Sequence, residues 1–312
     1  MTASRKFRFA AQINGASSKK DWALKARKAE DLGYSTLTMP DHFGDQLAPV
    51  PALMAAADAT TTLRIGTLVF GNDYKHPLVL AKEAATLDLL SDGRLELGLG
   101  AGWMKADYEQ TGMKYDPPAV RVDRFEEAVV VFKGLFGEGP FSFQGRHYTI
   151  REHDGLPKPL QKPHPPMVIG GGGKRVLSIA ARQADIVSVN PNLKEGLGGA
   201  ETAPNTAPEA TDLKLQWVKE AAGERFDRIE LNALIGFVMV TDKARDVAEA
   251  MAPAFGVEPE DSLSVPVCLV GTFDWMVEEL QRRRQRWGFS YIGFDSDSWE
   301  TMAPVVARLA GT

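Results

Sequence analysis

Asp41 and His42 stand directly behind the apolar run Thr36–Met39 and Pro40, so a carboxylate and an imidazole emerge together from the end of one buried segment. Imidazole is the side chain best suited to moving a proton near neutral pH, and a neighbouring carboxylate can orient it. A lone His can equally be a hydrogen-bonded packing residue; what favours chemistry here is its place at a strand end. Three glycine-bearing segments complete the inventory. Leu68-Val69 leads through Phe70 into Gly71-Asn72; Gly100-Ala101-Gly102-Trp103 closes the run LGLGAGW; and Gly170-Gly171-Gly172-Gly173 stands immediately before Lys174 and Arg175. Glycine at a strand end lets a flat ligand approach the backbone closely. The four-glycine run reads either as a flexible strand-to-helix turn or as a phosphate cradle of unpaired amide N–H groups, and the two cations that open the following helix favour an anion. No H-x-H pair, no helical His pair at i, i+4 and no G-x-S-x-G elbow is present, so neither a resident metal nor a serine nucleophile is expected.

The stretch Arg64–Trp103 shows what must position these groups. Two strands, Arg64–Phe70 and Arg94–Gly100, flank an amphipathic helix from Pro77 to about Leu90 with Ser91-Asp92-Gly93 as its stop. This is a βαβ unit, and its strands must run parallel and be covered on both faces. The same alternation recurs along the chain. Strands are expected at Phe7–Ile13, Tyr34–Met39, Met167–Gly170, Asp185–Val189, Ile229–Val240 and Phe289–Phe294. Helices are expected around Ser17–Leu32, Pro49–Thr61, Arg121–Phe136, Lys174–Arg182, Glu209–Ala222, Lys243–Phe255, Thr272–Trp287 and Trp299–Ala310. Eight such units predict an α/β protein of (β/α)8 TIM-barrel type, one domain over residues 1–312, with its site at the C-terminal strand ends. Two insertions interrupt it. Residues 141–165 hold a hairpin (Phe141–Ile150, a flap) and a proline-rich segment, and residues 190–208 read as a mobile loop. Flap and loop are expected to build the substrate pocket. An open doubly wound sheet is the alternative, but Gly98-x-Gly100-x-Gly102 lacks the dinucleotide spacing.

Composition fits a soluble enzyme: 44% hydrophobic, 25% charged, net charge −5. No basic face is implied, so no nucleic-acid partner is expected. The sole cysteine, Cys268, lies in the apolar run VPVCLV and reads as a buried core thiol. Without an apolar leader or a run long enough to span a bilayer, the expectation is a cytoplasmic protein with no membrane association.

Taken together, MPDHF (Met39–Phe43), Arg64–Trp103, the R-x-x-R-x-E-E helix start (Arg121–Glu127), FQGRHY (Phe143–Tyr148) and Pro165–Val187 resemble the bacterial-luciferase-like monooxygenase superfamily, specifically its coenzyme F420-dependent oxidoreductases. The resemblance covers nearly the whole chain. It implies a homodimer packed through early helices and a deazaflavin (F420), or FMN in its place, lying across the barrel mouth against Leu68-Val69, whose peptide bond it implies to be cis. It implies further that Gly100, Ala101, Gly102 and Trp103 line the ring edge and side chain, that Gly171 to Gly173 hold the phosphate, with Gly71, Asn72 and Gly170 also binding the cofactor, and that His42, with Asp41 beside it, handles the proton. The partner would be a small-molecule substrate reduced or oxidised by hydride transfer. Lys75, Lys105, Lys174 and Arg175 are the cations expected to meet the deazaflavin's acidic tail. Some sugar-phosphate dehydrogenases of that branch carry a catalytic Glu soon after the second glycine patch; this chain has none until Glu109. A barrel that has kept the cleft and lost catalysis is the contrasting hypothesis.

Overall fold

The computed structural model describes residues 5–193, 196 and 200–312. Eight parallel strands form the barrel: β1 (Arg8–Gln12), β2 (Thr36–Met39), β3 (Arg64–Thr67), β4 (Leu95–Gly100), β5 (Met167–Gly171), β6 (Ile186–Val189), β7 (Glu230–Ile235) and β8 (Phe289–Phe294). Each pairs with the next, β8 returns to β1, and the ring closes. The expected (β/α)8 architecture is what the chain adopts. β2, β4, β6 and β8 are buried along their whole length, as strands covered on both faces must be. Local signals set the helices as well. Ser18 caps Lys19–Asp31 by accepting from the Asp21 amide, and Pro77 opens Pro77–Leu90 where no N–H is needed.

Strand periodicity of two sorts the barrel interior into layers. At the bottom, Arg8 of β1 bonds Glu96 of β4 at 2.6 Å and Glu230 of β7 at 2.6 Å. Arg64 of β3 reaches the same Glu96 at 2.9 Å, and the Tyr291 hydroxyl of β8 donates to it at 3.1 Å. Two residues higher, Ala10, Val168 and Ile186 form a small apolar layer with Leu68 packed on it. Two residues higher again stand Gln12, Gly100, Gly170 and Leu234, and there the interior opens.

β3 ends at Thr67 and resumes as Phe70–Gly71 beside Leu99–Gly100; the Leu68–Val69 peptide between the two pieces is cis, as the resemblance implies. Other expectations change. The apolar stretch Ile229–Val240 is two strands: after Ile235 the chain leaves the barrel, the Gly236 and Phe237 amides both donate to Val267 O, and Phe237–Val240 pairs with Cys268–Gly271. Cys268 is buried. A short helix, Lys105–Thr111, for which no expectation was set, lies in the connection after Gly100. Within Pro191–Pro208, Ala200–Thr206 is a 3-10 helix, while residues 194, 195 and 197–199 of that expected loop lie outside the described residues. The hairpin Phe141–Gln144 with Thr149–His153 is held down: Glu127 accepts the amides of Arg146, His147 and Tyr148 at 2.7, 2.8 and 3.1 Å.

Candidate active site

A cavity of about 600 Å³ opens at the C-terminal ends of the strands. Asp41, His42, Leu68, Val69, Gly71, Gly100, Ala101, Gly102, Trp103 and Gly170 to Gly173 all line it, so two short peptides and two glycine patches far apart in sequence converge on one space. Asn72 does not line it. It is buried, and its side-chain amide donates to the Tyr148 hydroxyl at 3.2 Å, tying the strand end to the hairpin. No residue of the hairpin or proline-rich segment lines the cavity; of the two insertions, only the second contributes, through Asn190 to Leu193. Of the two insertions expected to build the pocket, the loop does so and the flap does not.

Val69 forms the floor. A Cβ on Gly100 would press on Val69 Cγ2 at 2.5 Å, and one on Gly170 would meet Val69 Cγ1 at 3.4 Å, so glycine on both sides leaves a flat surface. At one side of this floor, His42 Nδ1 lies 2.7 Å from Asp107 Oδ2, and its ring meets Trp103 edge-on at 5.6 Å. Tyr74 donates its hydroxyl to the same carboxylate oxygen at 2.7 Å, and the Phe43 amide approaches the other at 3.4 Å. Burial alone would raise the Asp107 carboxyl; the hydrogen bonds from His42 and Tyr74 outweigh it and hold the group below the usual carboxylate range. Tyr74 shifts the opposite way, burial and Asp107 both raising it, so it stays a neutral donor.

Asp107 corrects the sequence reading of the site. Asp41 is not the partner of His42: it accepts the Gly71 amide at 3.1 Å, and burial raises its carboxyl. Asp107 lies in Met104–Tyr108, the run after the second glycine patch in which the sequence has no glutamate. Glu109 itself is exposed and paired with Lys105. The signal was a carboxylate on a short helix at that place, whichever acid carried it.

At the other end, Gly173 caps helix Lys174–Gln183 without any side-chain hydrogen bond, so the helix's first amides have no side-chain partner. A Cβ on Gly172 would collide with the Pro191 and Asn190 carbonyls. Replacing Gly172 by Leu therefore disturbs the segment that follows β6 as well as any ligand. Of the cations expected to face an acidic tail, Lys75 is paired with Glu83, Lys105 with Glu109, and Arg175 with Asp123 and Glu126. Lys174 lies 6.0 Å from the Trp217 ring. The cavity thus has the size of a drug-sized ligand's site, an apolar flat floor, a proton-carrying group on one side and open helix amides at the end.

Fold and geometry together define a TIM barrel with a ligand cleft at its C-terminal mouth. The chain belongs to the luciferase-like monooxygenase family, whose sequence model matches residues 6–285. It is similar to the FMNH2-dependent dimethylsulfone monooxygenase of Pseudomonas putida, 29% identical over 204 residues that make up 65% of this chain and 52% of that protein. It is also similar to the F420-dependent glucose-6-phosphate dehydrogenase of Amycolatopsis mediterranei, 25% identical over 222 residues, 64% of this chain and 66% of that one. The chain spans about half the length of the curated relatives it matches first. Among solved structures, the F420-dependent tetrahydromethanopterin reductase of Methanopyrus kandleri shares the fold at a TM-score of 0.78 and 18% identity, covering 98% of this chain and 99% of that one. Among the described residues, no helix is long and apolar enough to cross a membrane.

Proposed function

We propose that this protein is an oxidoreductase that transfers a hydride between deazaflavin coenzyme F420 and a small organic substrate in this cavity. The observation that carries the reading is the two-ended cavity: the His42–Asp107 pair beside a flat Val69 floor, and unpartnered helix amides after Gly170–Gly173. When bound, the deazaflavin supplies or accepts the hydride, and the protein orients it and excludes water. Val69, Gly100 and Trp103 would hold the ring and Gly171 to Gly173 the phosphate. Asp107 fixes the His42 ring through Nδ1, which leaves Nε2 to give or take the accompanying proton. Asp41, whose carboxyl burial raises, lines the cavity beside His42.

The motif context of GTLVFGN and LGLGAGW supports the deazaflavin. FMN is the second reading, supported by the FMNH2-dependent relative and by the pairing of Lys75, Lys105 and Arg175, which leaves fewer free cations for an acidic tail. The homodimer reading has support from Val79, Leu89 and Leu90, which helix Pro77–Leu90 leaves exposed.

An anaerobic panel of imines, enones and alcohols with reduced or oxidised deazaflavin tests the reaction class. Substrate-dependent change in the deazaflavin's absorbance is expected, with turnover lost and cofactor affinity kept in His42→Ala. Oxygen consumption with reduced FMN, coupled to product formation, would assign a monooxygenase instead, and no turnover with either cofactor would leave a non-catalytic barrel.

A further inference from the structure

The helix start R-x-x-R-x-E-E, within helix Pro118–Phe136, has a partner for nearly every charge it carries. Arg124 binds Asp73 and Asp116, each through a short pair (2.8 and 3.0 Å). Glu126 pairs with Arg175 and Arg182, and Glu127 holds the hairpin turn. Arg121 is the exception. It is 3% exposed, its guanidinium stacks 4.1 Å from the centre of the Tyr115 ring, and its Nε and Nη1 atoms are buried with no hydrogen-bond partner among the described residues. It also lines the cavity.

A guanidinium stays charged at any pH a protein meets, and leaving it buried without an acceptor is strongly unfavourable. Its neighbours locate the missing acceptor. Ala119, in the same first turn, receives a hydrogen bond from Arg175 at 3.4 Å, and Asp123 pairs with Arg175 as well, so this turn abuts the start of helix Lys174–Gln183. Both arginines line the cavity; Arg175 is paired with carboxylates, and Arg121, whose guanidinium lies 4.1 Å from the centre of the Tyr115 ring and 5.8 Å from that of Tyr108, is bare. Open helix amides and a bare guanidinium form a site for a compact oxyanion.

We propose that Arg121 is the charged anchor for the phosphoryl group of the ligand that fills this cavity, completing the cradle of Gly171 to Gly173. The proposal rests on the cofactor reading above and adds to it the residue that discriminates phosphorylated from unphosphorylated tricyclic ligands. FMN offers a phosphomonoester and F420 a phosphodiester; the shared chemistry is a tetrahedral phosphate oxyanion.

The test is a set of binding titrations on wild type, Arg121→Met and Arg121→Lys with four ligands: FMN, riboflavin, F420, and the deazaflavin riboside without phosphate and tail. Wild type should prefer the phosphorylated member of the matching pair. Arg121→Met should lose about tenfold to a hundredfold of that member's affinity, the range for a hydrogen bond to a charged group, and leave the unphosphorylated member unchanged. Arg121→Lys should keep part of the preference. Because Met removes a buried unpaired charge, the unliganded variant should melt no lower than wild type. Equal loss on both members of a pair, a lower melting temperature without ligand, or an undiminished phosphate preference would overturn the proposal. Thermal protection by inorganic phosphate separates it from the cofactor reading. If wild type binds no tricyclic ligand, the cofactor reading fails, and protection by phosphate that Arg121→Met abolishes would still sustain the anion site. If phosphate protects wild type and Arg121→Met alike, or neither, Arg121 is not the anchor.

Discussion

Replacing Asp107 by Asn is expected to reduce turnover by a factor on the order of a hundred to ten thousand, the range that positioned proton transfer supplies, while cofactor affinity holds. Asp107 Oδ2 accepts from both His42 and Tyr74 at 2.7 Å. An amide puts either its oxygen or its NH2 at that one position: the oxygen would keep both bonds but turn the NH2 against the Phe43 amide, and the NH2 would face two groups that both donate. Where the NH2 faces His42, Nδ1 must become the acceptor and the ring proton moves to Nε2, the wrong tautomer for a group that must accept a proton there. Affinity is expected to hold because Asp107 does not line the cavity. Paired measurements of kcat and cofactor Kd, with imidazole ¹⁵N shifts to read the tautomer, check this. A variant with near-normal kcat, or with the tautomer unchanged, would remove Asp107 from the proton path.

The second large effect concerns the barrel floor. Glu96→Gln should destabilise the fold by about 3–5 kcal/mol, the usual consequence of removing one partner from a buried ion pair. Glu96 is 3% exposed and takes bonds from Arg8, Arg64 and Tyr291, which belong to three other strands of the barrel. A Gln NH2 would face guanidinium donors, and Arg8 would keep only Glu230 among its carboxylates. The same group gives a pH signature. Burial would raise the Glu96 carboxyl, but Arg8 and then Arg64 hold it below the usual range. Its stabilisation is therefore fully present above the unfolded pKa of about 4.3 and is lost as pH falls through the folded value. Denaturant midpoints from pH 7 down to pH 3 should fall steeply for wild type and more gently for Glu96→Gln. Parallel curves would mean that Glu96 does not link folding to protons.

What the sequence shows and hides follows from the range of each interaction. Strands β3 and β4 and the helix between them are legible because apolar spacing, Pro77 and the Ser91–Gly93 stop are all local. The glycine patches are legible for the same reason, since glycine states a backbone requirement at its own position. The His42–Asp107 bond spans 65 residues and the Arg8–Glu230 pair 222, and no local pattern specifies either. The apolar run through Val240 hides the departure at Gly236, because Phe237–Val240 remains strand-like while changing its partner from β8 to Cys268–Gly271. The R-x-x-R-x-E-E motif is visible in one line of sequence. Which arginine stays unpaired depends on Asp73, 51 residues before Arg124, as well as on the nearer Asp116.

The most direct test of the cofactor assignment is titration of the apo-protein with F420 and with FMN under identical conditions across a series of salt concentrations. Tighter binding of the deazaflavin is expected, weakening as salt screens its phosphate and acidic tail. Tighter binding of FMN, or no binding of either ligand, would contradict it.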